Sequence, residues 1–308
     1  MIATTNNPAF YFPPDKGLYE VKPGLVSLNT DFGNKNADTK IFQIDNQFHK
    51  YHDNKLKVRN ESVEKYICLL PDIDLSVINQ FILDNLCHDY PEYFSIHTKT
   101  ERLNCYLTNE YVEINNGCLF DNLAMQIQED LAVMEVTPDG DGKIIALHLC
   151  APNHWAAQDK INKDFLSIHE PVPNIERILQ RSREINKACL QKGPFVRFAW
   201  GLSTDQHLNH HPTPPANISV KEWSGRQFNP DKPKLFIRVE RQTLSGFHKE
   251  GLVLFTIRTY FYDVATLNKQ RRLALINAIH SMNEAALNYK GIATRKESIL
   301  NWIGQISD

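Results

Sequence analysis

The sequence has 308 residues, which admits one large domain or two ordinary ones. Its 42% hydrophobic and 23% charged residues match an average soluble globular chain and argue against wholesale disorder. Lys+Arg number 34 against 36 Asp+Glu, so there is no basic excess of the kind that marks a general nucleic-acid binder, and no apolar run approaches the ~18 residues of a membrane span.

Residues 1 to about 40 are rich in Pro, Asn, Asp and Gly and read as loops and turns draped over a domain. Helices are expected around 61–69 and 74–88. The second starts behind Asp72 and Asp74 and places Leu75, Ile78, Ile82 and Leu86 on one face. Tyr111 to Phe120 reads as a strand and Asp121 to Met134 as a helix, with a turn at Asp139-Gly140-Asp141-Gly142. Lys143 to Cys150 reads as a buried strand, Asn174 to Leu190 as a helix and Phe195 to Leu202 as a strand. A Pro- and His-rich loop spans His207 to Pro215. Two long strands, Lys234 to Leu244 and Leu252 to Tyr262, are close enough to form an antiparallel pair, and Leu267 to Tyr289 is the best helix. With no repeat and no clean linker, the simplest reading is one α+β domain with an antiparallel sheet.

The six cysteines, Cys68, Cys87, Cys105, Cys118, Cys150 and Cys189, are isolated, and no CxxC is present. The first residues show no basic stretch followed by an apolar one, so no secretory signal is read there. Reduced thiols and a cytoplasmic location are expected, with any redox centre held by something other than these cysteines. Nucleotide, zinc-protease and nucleophile-elbow motifs are absent. The His207, His210 and His211 group lacks a third-ligand context and reads as an extended loop.

Alternation in the long strands sets Leu235, Ile237 and Val239 against Arg238, Glu240 and Gln242, and Val253, Phe255, Ile257 and Phe261 against Thr256, Arg258, Tyr260 and Tyr262. Arg241 falls on the apolar side. Pairing the polar faces would gather Arg238, Glu240, Gln242, Thr256 and Arg258, either as a solvated face with cross-strand ion pairs or as an anchor for an anionic ligand. His169 lies in Ile168-His169-Glu170-Pro171-Val172-Pro173, where prolines stiffen the backbone. It reads either as a turn histidine or as a metal or haem ligand.

Several segments in this order resemble the haem-dependent oxidative N-demethylase alpha-subunit-like family. They are Gln128-Glu129-Asp130-Leu131, Trp155 with Lys160, the His169 segment, Arg197-Phe198-Ala199-Trp200, Arg238-Val239-Glu240-Arg241-Gln242-Thr243-Leu244 and Phe255-Thr256-Ile257-Arg258-Thr259-Tyr260. Phe42-Gln43-Ile44-Asp45 and Lys55 fit it loosely. The resemblance spans about 40 to 265 and implies a PAS-like antiparallel sheet elaborated with helices and holding one haem b. It divides the chain into a loop and helix elaboration over 1–110, a sheet core over 111–265 and C-terminal helices over 266–308.

In the activity this resemblance implies, a small secondary amine is demethylated with O2 to a primary amine and formaldehyde. Electrons come from NADPH through flavin and [2Fe-2S] centres on a reductase or ferredoxin-like partner. His169 is then the expected axial ligand. Lys160, Arg238, Arg241 and Arg258 are expected to meet the haem propionates, Trp155 and Trp200 to wall the pocket, and Glu240 to position an arginine or bind a cationic amine. A haem-binding sensor or carrier without turnover is the alternative. Two departures stand out. The family commonly continues RQTL with Arg-Leu-Pro where this chain has Ser245-Gly246-Phe247, and it has Lys-x-Gly where this chain has Lys160-Ile161-Asn162. An anchor or pocket contact is expected to be missing there.

Overall fold

The structure is a computed structural model, and it describes residues 4–215, 217–224 and 227–307. Ten strands form two antiparallel sheets. They are β1 (Val26–Ser27), β2 (Ile67–Leu69), β3 (Phe94–His97), β4 (Arg102–Cys105), β5 (Glu110–Glu113), β6 (Asp130–Val136), β7 (Gly142–His148), β8 (Phe195–Ser203), β9 (Phe236–Phe247) and β10 (Leu252–Asp263). The large sheet has the order β1-β8-β9-β10-β6-β7-β2, and β3-β4-β5 form a small one. The fold is therefore α+β with an antiparallel core. The principal helices are α1 (Phe48–Glu61), α2 (Ser76–Asp89), α3 (Leu119–Ala124), α4 (Phe165–His169), α5 (Ser182–Lys192), α6 (Lys269–His280) and α7 (Lys296–Gln305).

The register of the long hairpin decides which side chains meet. Phe247 pairs with Leu252, so Arg258 lies opposite Arg241, Thr256 opposite Thr243 and Phe261 opposite Arg238. A polar face combining Arg238, Glu240 and Gln242 with Thr256 and Arg258 does not form. Side chains alternate along a strand, so a one-residue change in pairing moves a whole set to the other face. One face carries Arg197, Ala199, Arg238, Glu240, Gln242, Phe255, Ile257 and Thr259; we call it the front. The back face carries Trp200, Val239, Arg241, Thr243, Thr256, Arg258 and Tyr260.

The back face is the more deeply buried. Leu131, Val133, Ala146, Val196 and Leu254 pack with Ile78, Ile82, Leu83 and Leu86 of α2. Trp200, Ile237, Val239 and Tyr260 pack with Tyr11 and with Leu275, Ala278 and Ile279 of α6. The front face is covered at one end by α5, whose Cys189 and Leu190 meet Val136 and Val253. Gly246 makes that approach possible, because a Cβ there would lie 2.2 Å from the Leu190 carbonyl oxygen.

Five expected elements differ. Residues 121–134 do not form one helix: α3 ends at Ala124 and β6 begins at Asp130. The strand expected over 111–120 shrinks to β5, and Asn116 Oδ1 then accepts the Cys118 N–H at 3.0 Å in a turn. The helix expected over 61–69 is a short one, Val63–Tyr66, followed by β2, while α1 precedes it. The buried side of α1 carries Phe48, Tyr51, His52, Lys55 and Val58, and its polar members hide the stripe from a hydropathy reading. The helices at 174–190 and 267–289 are each broken. The first breaks at Arg181, which leaves helical geometry (φ -113°, ψ 19°). In the second, the Asn283 side chain accepts the Ala286 N–H and starts a new helix, Glu284–Tyr289.

Candidate functional site

His169 ends α4, a five-residue helix capped by Asp164, whose carboxylate accepts the Ser167 N–H at 2.8 Å. The imidazole is half-buried and lies on the Phe165 ring, with centroids 4.2 Å apart. Its Nδ1 is 2.8 Å from the Phe165 carbonyl oxygen. A carbonyl only accepts, so Nδ1 carries the proton and Nε2 keeps its lone pair. Burial lowers the His169 pKa, and the nearby charges of Arg197 and Lys160 lower it further, so the ring is held neutral. Lys160 reaches the same turn: its Nζ donates to the Ile168 carbonyl at 2.8 Å and ties α4 to the preceding loop.

Arg197, the first residue of the Arg197-Phe198-Ala199-Trp200 motif, lies near His169. It extends from the middle of β8 on the front face, across from Gln242 of β9. Its Nε is buried without a hydrogen-bond partner, and no ion pair within salt-bridge distance neutralises it among the described residues. Burial pulls its pKa down, yet an arginine stays charged. The residue as a whole is half-buried, and Glu240 on the same face opposes part of that shift. The signal was available: alternation puts Arg197 on the side of Phe195 and Ala199, opposite Val196 and Phe198.

Glu240 is the carboxylate of this face. Its Oε2 accepts from Gln242 Nε2 at 3.1 Å, and its Oε1 lies 3.7 Å from Arg238 Nε. Lys290 approaches from the C-terminal side. Its stem passes 3.9 Å from where a Gly201 Cβ would stand, and its Nζ donates to the Trp200 carbonyl at 2.6 Å. Trp155 is half-buried and packs with Ala132, Leu147, Leu149, Ile161 and Phe255, which continue the apolar part of the front face.

The remaining expected residues lie apart from His169 or donate to other partners, although the Nε atoms of Arg238, Arg241 and Arg258 have no hydrogen-bond partner. Arg238 is on the front face but buried, and its guanidinium donates to the carbonyls of Leu208 at 3.1 Å and Ala151 at 2.7 Å. Arg241 is on the back face and donates to the carbonyls of Asp38, Lys40 and Ile41. Arg258 is also on the back face, paired with Asp45 at 2.8 Å and lying 3.7 Å over the Tyr51 ring. Trp200 is buried on the back face, edge-on to Tyr19. These three brace the N-terminal segment against the sheet. A cavity of 390 Å³ between α2 and residues 114–120 touches none of the expected site residues.

The departure at Asn162 also finds its place. Asn162 has φ +58°, in the left-handed region where glycine is favoured and asparagine is the side chain best tolerated, and its N–H donates to the Ile144 carbonyl at 2.8 Å. The backbone turn that a glycine would make is kept, so no anchor is lost there.

The family model described as haem-dependent oxidative N-demethylase, alpha subunit-like, matches residues 33–300. The chain belongs to that family. No curated protein matches it. The alpha-subunit description implies partner subunits, and the family is haem-dependent. The front face fits such a group: His169 offers a neutral imidazole nitrogen, Arg197 a half-buried cation, Lys160 a second cation, and Trp155 with Phe255 an apolar wall. All six cysteines are unpaired thiols, and no helix among the described residues is long and apolar enough to cross a membrane.

Proposed function

We propose that this chain is the haem-binding subunit of an O2-dependent N-demethylase acting on a small secondary amine, with one haem b against the front face. The observation that carries this reading is the nearness of a free His169 Nε2 to the half-buried Arg197 guanidinium, whose Nε has no hydrogen-bond partner. His169 would hold the haem iron in this proposal. The hydrogen bond from its Nδ1 to the Phe165 carbonyl fixes ring orientation and makes Nε2 a better donor. Arg197 and Lys160 address the propionates, and Trp155 excludes water from one side.

When bound, haem supplies the activation of O2 that no side chain provides. The protein's own residues bind, orient and screen. Glu240 takes the positioning role, since Gln242 and Arg238 already address it. Electrons are proposed to arrive from NADPH through flavin and [2Fe-2S] centres on partner proteins, in the cytoplasm.

A PAS-like core is part of the proposal. Strands β6 to β10, counted one to five, lie in the sheet in the order 2-1-5-4-3, the order of a PAS core, which supports that reading. The N-terminal segment supports treating all 308 residues as one unit, because Tyr11 N–H donates to the Tyr262 hydroxyl at 3.0 Å from the opposite end of the chain. The test is turnover. Haem-loaded protein supplied with a surrogate reductase, NADPH, O2 and dimethylamine should release formaldehyde in step with oxygen uptake. Oxygen uptake without formaldehyde from any methylamine tested would count against the demethylase and leave the sensor or carrier reading.

A further inference from the structure

Away from Arg197 and His169, the junction of β6 and β7 gathers three donor atoms of different kinds. Asp130 opens β6, His148 ends β7, and Cys150 follows two residues later. All three are fully buried, and their carboxylate oxygen, imidazole nitrogen and sulfur lie within 4.8 Å of one another. We propose that this cluster is a zinc-binding site, with Asp130, His148 and Cys150 as ligands and Asp121 orienting the histidine.

The geometry matches a shared ion. Cys150 Sγ and His148 Nδ1 are 3.7 Å apart. Two ligands at the usual ~2.3 Å for sulfur and ~2.05 Å for nitrogen, held at a tetrahedral angle, stand roughly 3.6 Å apart. The histidine is also set in the right tautomer. Its Nε2 lies 3.1 Å from Asp121 Oδ1, and a carboxylate there takes the Nε2 proton as acceptor, which leaves the Nδ1 lone pair facing Cys150. A carboxylate–histidine–metal arrangement of this form is the common way proteins orient a zinc ligand. Asp121 is in turn fixed by Arg59 at 2.7 Å.

Asp130 accepts the N–H groups of Cys150 at 2.9 Å and Ala151 at 2.7 Å. Each bond uses one lone-pair site of a carboxylate that has about four, so capacity remains on both oxygens. The neighbouring cation, Lys55, does not fill the triangle: its Nζ donates at 2.6 Å to the carbonyls of Ala124 and Glu129. Zinc with one thiolate, one carboxylate and a neutral imidazole sums to zero, and Lys55 stands beside the cluster as a neighbouring cation. As the zinc–sulfur bond forms, the thiol loses its proton to solvent.

The test is elemental analysis of the whole haem-loaded protein, grown with added zinc sulfate and dialysed against EDTA. About one zinc per chain is expected, separate from iron. His169→Ala should retain it, whereas Cys150→Ala and His148→Ala should lose it. Asp121→Asn should bind zinc some 10- to 100-fold more weakly. If the ligand variants do not fold, cobalt(II)-substituted wild type carries the decision, and a thiolate-to-cobalt charge-transfer band is expected. Folded wild type without zinc, zinc that survives Cys150→Ala, or bound cobalt without the thiolate band would each overturn the proposal.

Discussion

Arg258 separates the two faces of the sheet most sharply, because the sequence offers it as a haem anchor and the fold makes it a brace. Its side chain is fully buried, and its Nη2 meets Asp45 Oδ2 at 2.8 Å. Asp45→Ala leaves that guanidinium without its carboxylate and should cost about 3–5 kcal/mol, the usual penalty for breaking a buried pair. Arg258→Met should cost a similar amount by stranding Asp45. The double variant Asp45→Ala/Arg258→Met removes both charges and should recover most of the loss. Recovery is incomplete because Asp45 also accepts from Gln128 Nε2 at 3.1 Å and the Gln47 N–H at 2.9 Å, each worth about 1 kcal/mol net. Urea unfolding followed by tryptophan fluorescence measures the stabilities, and the Soret absorbance of the same samples gives haem per folded chain. The expected result is a large coupling energy with haem content unchanged. Arg258→Met that sheds haem at unchanged stability, or single costs that simply add in the double variant, would refute the assignment of Arg258 to the back-face scaffold.

Three further outcomes follow from the packing. Gly246→Ala drives a Cβ into the Leu190 and Cys189 carbonyls and should destabilise the fold by about 3 kcal/mol or more; a change under ~0.5 kcal/mol would show that α5 does not sit on β9 as described. Asn162→Gly should leave stability and haem content near wild type while Asn162→Val costs about 1–2 kcal/mol, and equal effects of the two would remove the left-handed turn as the reason for Asn at this position. His211 has its pKa lowered by burial and by Lys65, and its Nδ1 accepts the Thr213 N–H at 3.0 Å. The unfolded chain therefore binds that proton more readily. The His211 contribution is fully present above its unfolded value of about 6.5 and is lost as pH falls through the lower folded value. Stability profiles from pH 7 to 5 should be shallower for His211→Asn than for wild type, and parallel profiles would contradict this.

The strands were the most legible part of the chain. β7, β8, β9 and β10 show clear apolar runs or period-two alternation, and a turn falls at Asp139–Gly142 as read, although it joins strand β6 to β7 rather than a helix to a strand. The segment 121–134 misled because Leu131-Ala132-Val133-Met134 belongs to a central strand, and an apolar run covered on both sides has no period that tells it from a helix. What fixes it is remote: Glu129 Oε1 accepts the Gln43 N–H at 2.9 Å and Gln128 Oε1 accepts the Asp45 N–H at 2.8 Å. In the proposed site the histidine is legible in the sequence and the cations are not. His169 stands out by its prolines, but the pairing of Arg258 with Arg241 depends on β9 continuing through Ser245-Gly246-Phe247 to a turn after Phe247. Moving that turn by one residue exchanges the faces. Arg241 and Arg258 then become supports for the N-terminal segment, and Arg197, on the front face, becomes the arginine of the proposed site.

The central claim is that His169 holds haem through Nε2 on the front face of the sheet. It is tested most directly by the absorption spectrum of haem-reconstituted wild type beside His169→Ala. Wild type should bind about one haem per chain and show a Soret band typical of histidine ligation. His169→Ala should lose the haem or show a shifted Soret band that added imidazole restores. A wild-type spectrum in His169→Ala, or a wild-type protein that binds no haem, would contradict the account.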